Sequence, residues 1–226
     1  MVIYLSNITN LSLSEQAFQE IRRMIVTLEL APGDVVRDDL LQQQLGLGRT
    51  PIREALQRLV RDQFVTIVPR RGMYVSGIDV TELSTLYETR AILEPYVMRL
   101  ASARGRASDW EAMAVALARA ATDSSATQLL EIDRECREIV WSAAGNRFLT
   151  DTLDMLYAQS DRLWHLYLSD VADLGHMIDE HRAIHAALVD GDGERAAALI
   201  ESHMHAFNAQ IVDAVRRRLE SPLAGH

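Results

Sequence analysis

Apolar and polar residues alternate along this chain with two different periods, and the changes of period divide it. From residue 14 to residue 61 the period is helical. Ala17, Ile21, Ile25 and Leu28 mark an amphipathic helix, closed by a turn at Ala31-Pro32-Gly33-Asp34. A second helix is predicted over about Asp38 to Leu45, with Leu40, Leu41 and Leu45 apolar. Gly46-Leu47-Gly48 makes a tight turn into a third helix over residues 49–61. Its apolar residues Ile52, Ala55, Leu56, Leu59 and Val60 have the spacing of a buried stripe. The period then shortens. Phe64 to Val68 and Met73 to Ser76 are rich in strand formers and flank Pro69-Arg70-Arg71-Gly72, which predicts a hairpin. From Val80 strand signals stop. Breaks near Gly105, Thr122 to Ser125, Gly145, Gly175 and Gly191 separate six predicted helices, at 80–104, 107–121, 126–144, 147–168, 176–190 and 193–219. The expected fold is mostly α: a winged helix-turn-helix over 1–78, an all-α bundle of six to seven helices over 79–220, and a short disordered tail, 221–226.

The third helix has a second face. Arg49, Arg53, Gln57 and Arg61 step by four along the side opposite the apolar stripe. Thr50 fits an N-cap, and Pro51 fits the first helical position, where a missing N–H costs nothing. A short helix with a buried back and an Arg/Gln/Thr front can lie in the DNA major groove, reaching phosphates and base edges. A solvated basic face would show the same spacing. The glycine turn before it and the basic hairpin after it favour DNA, because together they make a helix-turn-helix with a wing. The candidate DNA-binding residues are Arg37, Arg49, Thr50, Arg53, Gln57, Arg58, Arg70, Arg71 and Gly72.

Charge sharpens this picture. The 226 residues carry a formal net charge of -9. Residues 1–78 hold nine Arg against eight acids, and residues 79–226 hold fourteen Arg against twenty-four acids. Six of the arginines, with only two acids, fall within residues 49–71. A local basic footprint on an acidic protein suits a DNA reader joined to a domain with another task. The single Cys136 excludes an internal disulfide and suits a reducing compartment. No apolar run approaches the ~20 residues needed to span a bilayer, and the N-terminus lacks a signal-peptide pattern. A cytoplasmic protein with no membrane partner is expected.

Here the chain resembles the GntR family of bacterial transcription regulators. The residues that carry the likeness are Leu30-Ala31-Pro32-Gly33, Leu41, Leu45-Gly46-Leu47, Arg49 through Leu56 with Leu59, and Arg71-Gly72 with Tyr74-Val75. The resemblance implies DNA contacts at Arg49, Arg53 and the wing. Gly48 departs from it, since relatives usually carry Ser there; the change bears on one phosphate contact and on the start of the helix.

All seven histidines lie beyond residue 160. His181 and His185 are one turn apart on one predicted helix, whereas His203 and His205 are two residues apart and cannot share a face. Facing helices of a bundle can hold a metal between them. More often such histidines are surface or core residues. The bundle further resembles the FCD domain, the effector-sensing domain found behind GntR heads. The matching residues are Tyr87, Arg90 and Leu93-Glu94-Pro95, Asp133, Ala144-Gly145-Asn146, Glu180-His181, Ile184, Gly191-Asp192, and Ala197 through His203. In metal-binding members an Asp, a His four residues later and two further His hold the ion. Asp133, His181 and His203 occupy three of those positions, and Arg137 stands at the fourth. A guanidinium stays charged and cannot ligate a cation.

Two arrangements follow. In one, Zn²⁺, or Ni²⁺ or Mn²⁺, is held by Asp133, His181 and His203, and Arg137 clamps an effector carboxylate at the open position. In the other there is no metal, Asp133 pairs with Arg137, and arginines alone bind the acid. The resemblance places Arg90 in the effector pocket; an ion pair with Glu94, four residues on, is the plainer reading. Trp164 is a weaker candidate for the same pocket, since a lone Trp more often fills a core. The effector-binding set is therefore Arg90, Glu94, Arg137 and Trp164.

The function expected is that of a ligand-responsive regulator, in the repressor sense. A homodimer would read a palindromic stretch of double-stranded operator DNA and respond to a small carboxylate. A rival class is a helical metal-dependent hydrolase with a vestigial head, using Asp133, His181 and His203. Against it, no Gly-x-Ser-x-Gly elbow, phosphate loop or His-Glu-x-x-His pair occurs, and Glu180 is expected to point elsewhere on the helix than His181. A constitutive architectural DNA binder would need no effector.

Overall fold

A computed structural model describes residues 11–79, 83–121, 123–167 and 175–220. It divides into two compact units, one of Met1–Asp79 with Asp161–Leu166, the other of Val80–Ser160 with Tyr167–His226. The assignment of Asp161–Leu166 to the first unit departs from the simple boundary after residue 78. The expected tail, 221–226, lies outside the described residues.

In the first unit, α1 (Leu13–Val26) opens on Ser12, whose hydroxyl accepts from Glu15 N–H. A two-residue strand β1 (Val35–Val36) precedes α2 (Asp38–Leu45) and α3 (Arg49–Arg61). The hairpin is β2 (Val65–Val68) and β3 (Gly72–Val75). β3 is the central strand, antiparallel to β2 with Val65 opposite Val75, and to β1 with Val35 opposite Tyr74. Helix α3 packs on α1, α2 and β2. Ile52, Ala55, Leu56 and Leu59 of α3 are buried against Phe18, Ile21, Met24 and Ile25 of α1, with Phe64 beside them. Each large apolar side chain removed from water contributes roughly 1.5–3 kcal/mol. That burial fixes which side of α3 faces outward.

The helix-turn-helix bend depends on Gly46, the C-cap of α2, at φ +64° in the left-handed region. Helix α3 spans the expected residues, 49–61, but its cap is not Thr50. Gly48 is its N-cap, without a side-chain cap bond, so Thr50 and Pro51 stand at its second and third positions. Proline is tolerated there because the first four N–H groups of a helix have no intrahelical acceptor. At the wing tip, Arg71 N–H donates to Val68 C=O across Pro69-Arg70, and Arg70 adopts φ +64°.

From residue 83 on, the elements among the described residues are all helices: α4 (Leu83–Arg104), α5 (Ala107–Leu117), α6 (Ala126–Ala144), α7 (Arg147–Tyr167), α8 (Gly175–Val189) and α9 (Gly193–Glu220). Helix α4 continues through Pro95. It packs on α9, α6 and α8; α8 also packs on α9, α5 and α6. Ser125 and Gln128 form a reciprocal capping box at the start of α6, and Gly145 closes it at φ +61°. The core between helices holds Val97, Met98, Ala101, Met113, Ile132, Val140, Ile184, Leu188, Ala196 and Ile200.

Gly105 makes the sharp turn between α4 and α5. A Cβ there would lie 2.3 Å from the Trp110 ring and 2.7 Å from Ala101 C=O, to which Gly105 N–H donates. Gly105→Ala should therefore destabilise the bundle by about 1–3 kcal/mol, as overpacking typically does. Chemical denaturation followed by tryptophan fluorescence measures this, and an unchanged midpoint would contradict it.

Candidate functional site

The outward side of α3 carries the sequence-predicted face. Arg49, Thr50, Arg53, Gln57 and Arg61 are exposed, as are Arg70, Arg71 and Gly72 at the wing tip. Arg53 Nε donates to Asp38 Oδ2 at 3.2 Å, an ion pair between the two helices of the motif. Arg37 is exposed at the N-cap of α2 and pairs with Asp39 at 2.8 Å.

Arg58 is placed apart from the other predicted residues of α3. Its Nη1 donates to Glu15 Oε2 at 2.6 Å, and its guanidinium lies 3.6 Å from the centroid of the Phe18 ring. It turns back onto α1 and ties the two helices together instead of joining the outward face.

The second unit encloses a polar cluster. Asp133 on α6 is fully buried. Its Oδ1 contacts His181 Nε2 from α8, and its Oδ2 accepts from the Tyr157 hydroxyl of α7 at 2.9 Å. Arg137, one turn along α6 and 3% exposed, places Nη2 2.6 Å from the same Oδ2. Its guanidinium lies 3.2 Å from the centroid of the Tyr157 ring. His203 of α9 lies beside His181, the two rings tilted with centroids 5.1 Å apart. Its Nδ1 is 2.6 Å from Glu180 Oε2. Glu180, next to His181 in sequence, thus lands on His203, another member of the cluster.

Arg90 and Glu94, both buried on α4, form the expected pair at 2.6 Å; Arg90 Nη1 also donates to Ser160 at 2.9 Å. Arg90, Glu94, Asp133, Arg137, His181 and His203 are all buried side chains of this unit. Trp164 is buried too, but falls on the stretch that groups with the first unit. His185 bonds the Trp110 carbonyl at 3.0 Å, and His205 is exposed. Tyr157, Ser160 and the Glu180–His203 contact escaped the sequence reading. Nothing in the spacing marks a lone Tyr or Ser on an amphipathic helix as a partner for a distant acid.

Burial alone would raise the Asp133 carboxyl. The Arg137 guanidinium, then His181, outweigh it and hold Asp133 well below the usual carboxylate range. Burial pushes His181 down, against the pull of Asp133, and so favours the neutral imidazole. Cys136, beside Arg137, is pushed up to about 12 by burial, which marks it as an inert packing thiol.

The family description "Bacterial regulatory proteins, gntR family" matches residues 13–75, and the FCD domain matches residues 85–206. The chain belongs to the GntR family. This GntR protein carries an FCD domain behind its winged head, and the family comprises transcription regulators, not enzymes. It is 28% identical over 203 residues to the HTH-type transcriptional repressor GlaR of Escherichia coli, covering 84% of this chain and 92% of that one. It is 28% identical over 200 residues to the Nta operon transcriptional regulator of Aminobacter aminovorans, covering 85% and 91%. Its fold is similar to that of E. coli McbR/YncC, with a TM-score of 0.80 at 22% identity over 91% of this chain and 99% of the other. A GntR structure from Rhodococcus sp. RHA1 gives a TM-score of 0.71 at 22% identity, over 89% and 98%. No helix among the described residues is long and apolar enough to cross a membrane.

Some FCD domains hold a divalent metal, and the residues of this GntR protein meet that requirement only in part. Ligand atoms of Asp133, His181 and His203 lie within 4.8 Å of one another. Glu180 on His203 Nδ1 is the kind of second contact that orients a metal-binding imidazole. The fourth position, however, is a guanidinium with no lone pair to give, already set against the Asp133 carboxylate. The donor set therefore does not fit a metal closed by four protein ligands.

The two shifts predict a pH dependence. His181 and Asp133 both have folded values below their ordinary ones, so both contribute stability at neutral pH that is lost on acidification. In chelator-treated protein, melting temperature should fall once the pH drops below about 6.5, where His181 begins to protonate in the unfolded chain. The fall should steepen below about pH 4, where Asp133 joins. His181→Gln should flatten the upper part of that profile. A wild-type melting temperature constant from pH 7 to 5 would contradict the assignment.

Proposed function

We propose that this GntR protein is an effector-responsive repressor, acting in the cytoplasm as a homodimer on a palindromic operator and sensing a small carboxylate in its FCD domain. The observation that carries the DNA half is the two-sided α3: an apolar back buried against α1, and Arg49, Arg53 and Gln57 exposed on the other side. Arginine forks pair with guanine edges and glutamine with adenine, while Arg70 and Arg71 on the wing suit phosphates. One short helix reads few base pairs, which favours two heads on two half-sites. GlaR is named a repressor, and that sense is carried to this chain as part of the proposal.

The sensing half rests on the buried polar cluster. A bundle needs no ionisable core for stability, since apolar replacements of buried ion pairs are often neutral or stabilising. Arg90, Glu94, Asp133, Arg137, His181 and His203 together suit recognition of an anion. To act as a switch, the effector must bind the DNA-competent and DNA-incompetent states with different affinity. The commonest arrangement is release of DNA on effector binding.

The test begins with selection of operator sequences from random duplex DNA by the full-length protein. The selected operator should lose affinity steeply with added salt, as counterions displaced by arginines return. Arg53→Ala should weaken it by about 1–3 kcal/mol in a gel shift while leaving the helical content unchanged. Arg58→Ala should do the reverse, with little change in operator affinity but a loss of about 0.5–2 kcal/mol in head stability. Failure to select any sequence would remove the regulator reading.

A further inference from the structure

The inference concerns the Asp133 cluster and rests on the reading of the bundle as an effector domain. Three observations converge there. First, both oxygens of the buried Asp133 carboxylate are already engaged by the protein. His181 Nε2 meets Oδ1, while the Tyr157 hydroxyl, at 2.9 Å, and Arg137 Nη2, at 2.6 Å, meet Oδ2. Second, Arg137 is fixed from two sides. Its guanidinium stacks 3.2 Å from the centroid of the Tyr157 ring, and that ring's hydroxyl bonds the same carboxylate. A guanidinium cannot shed its proton to make room for another cation. Third, each buried arginine of this cluster already has its acid. Arg137 answers Asp133, Arg90 answers Glu94, and Glu180 is turned to His203. A divalent ion among Asp133, His181 and His203 would stand close to the permanent cation of Arg137.

We infer that Arg137 takes the place of the metal in this domain, so that the effector carboxylate is captured by a resident organic cation. Arg137 Nε is buried and has no hydrogen-bond partner among the described residues. It is a donor that an incoming carboxylate would satisfy. The class of ligand follows. An acid held by guanidinium hydrogen bonds gains nothing from a neighbouring hydroxyl or keto group that would chelate a metal. Plain carboxylates and their hydroxy analogues are then discriminated by shape and hydrogen bonding alone.

The test uses full-length protein purified without a metal-affinity step, assayed by elemental mass spectrometry and then titrated with Zn²⁺, Ni²⁺ and Mn²⁺ by calorimetry. Wild type should carry well under one metal per chain and show no saturable uptake. Arg137→His completes an Asp-His-His-His set and should bind one Zn²⁺ per chain at least about 100-fold more tightly than wild type. About one metal per wild-type chain, lost in His203→Ala, would overturn the inference. So would uptake by neither wild type nor Arg137→His, because Arg137 would then not be what excludes the ion. Should Arg137→His not fold, the wild-type titration set against His203→Ala decides the matter. None of these outcomes depends on DNA, so failure here is distinct from failure of the regulator reading, which is decided by operator selection.

Discussion

A carboxylate sealed inside a helical bundle imposes neutrality on its surroundings. Asp133 is cut off from solvent, and an uncompensated charge in that setting costs several kcal/mol. The side chains around it answer that demand. Arg137 supplies the opposite charge from one turn away, Tyr157 and His181 fill the remaining acceptor sites, and Tyr157 then serves as the platform under Arg137. Helices α6, α7 and α8 all contribute to one carboxylate. Their mutual positions are therefore fixed by hydrogen-bond geometry as well as by packing, and a ligand that altered the charge at this point would pull on three helices together.

The helices were legible because their signals are local. Spacing of apolar residues, a glycine or serine at each break and capping residues located all six bundle helices to within a few residues, and the helix-turn-helix with them. The strand β1 was missed because two valines between Asp34 and Arg37 carry no period; only pairing with Tyr74 and Met73 makes them a strand. The cap of α3 was misplaced because proline suits any of the first helical positions, so Pro51 could not choose between Thr50 and Gly48.

The site was legible in proportion to how much of it lies on one helix. Asp133 with Arg137, and Arg90 with Glu94, are pairs four residues apart, and sequence spacing brings such pairs together by itself. Contacts that cross between helices were invisible to spacing, and only the family resemblance grouped Asp133 with His181 and His203. Tyr157 on Asp133, Ser160 on Arg90, and Glu180 on His203 join residues 24, 70 and 23 positions apart. Arg58 shows the same limit on the DNA side. It sits beside the Arg49-Arg53-Gln57 row in sequence, and only the approach of Glu15 and Phe18 from α1 diverts it.

The pairing of Arg53 with Asp38 has a consequence for how such a head moves along a genome. With nine arginines against eight acids in residues 1–78, and one of the central arginines of α3 held by a neighbouring acid, the attraction to an arbitrary stretch of phosphates is modest. Weak attraction means brief visits. On the proposed function, an encounter with an irrelevant sequence would end quickly, because Arg53 has a partner at home to return to. On the proposed reading, a base edge that accepted both arms of its fork would have to compete with Asp38 to hold the protein in place. In that reading Asp38 would trade some affinity at every sequence for a shorter search.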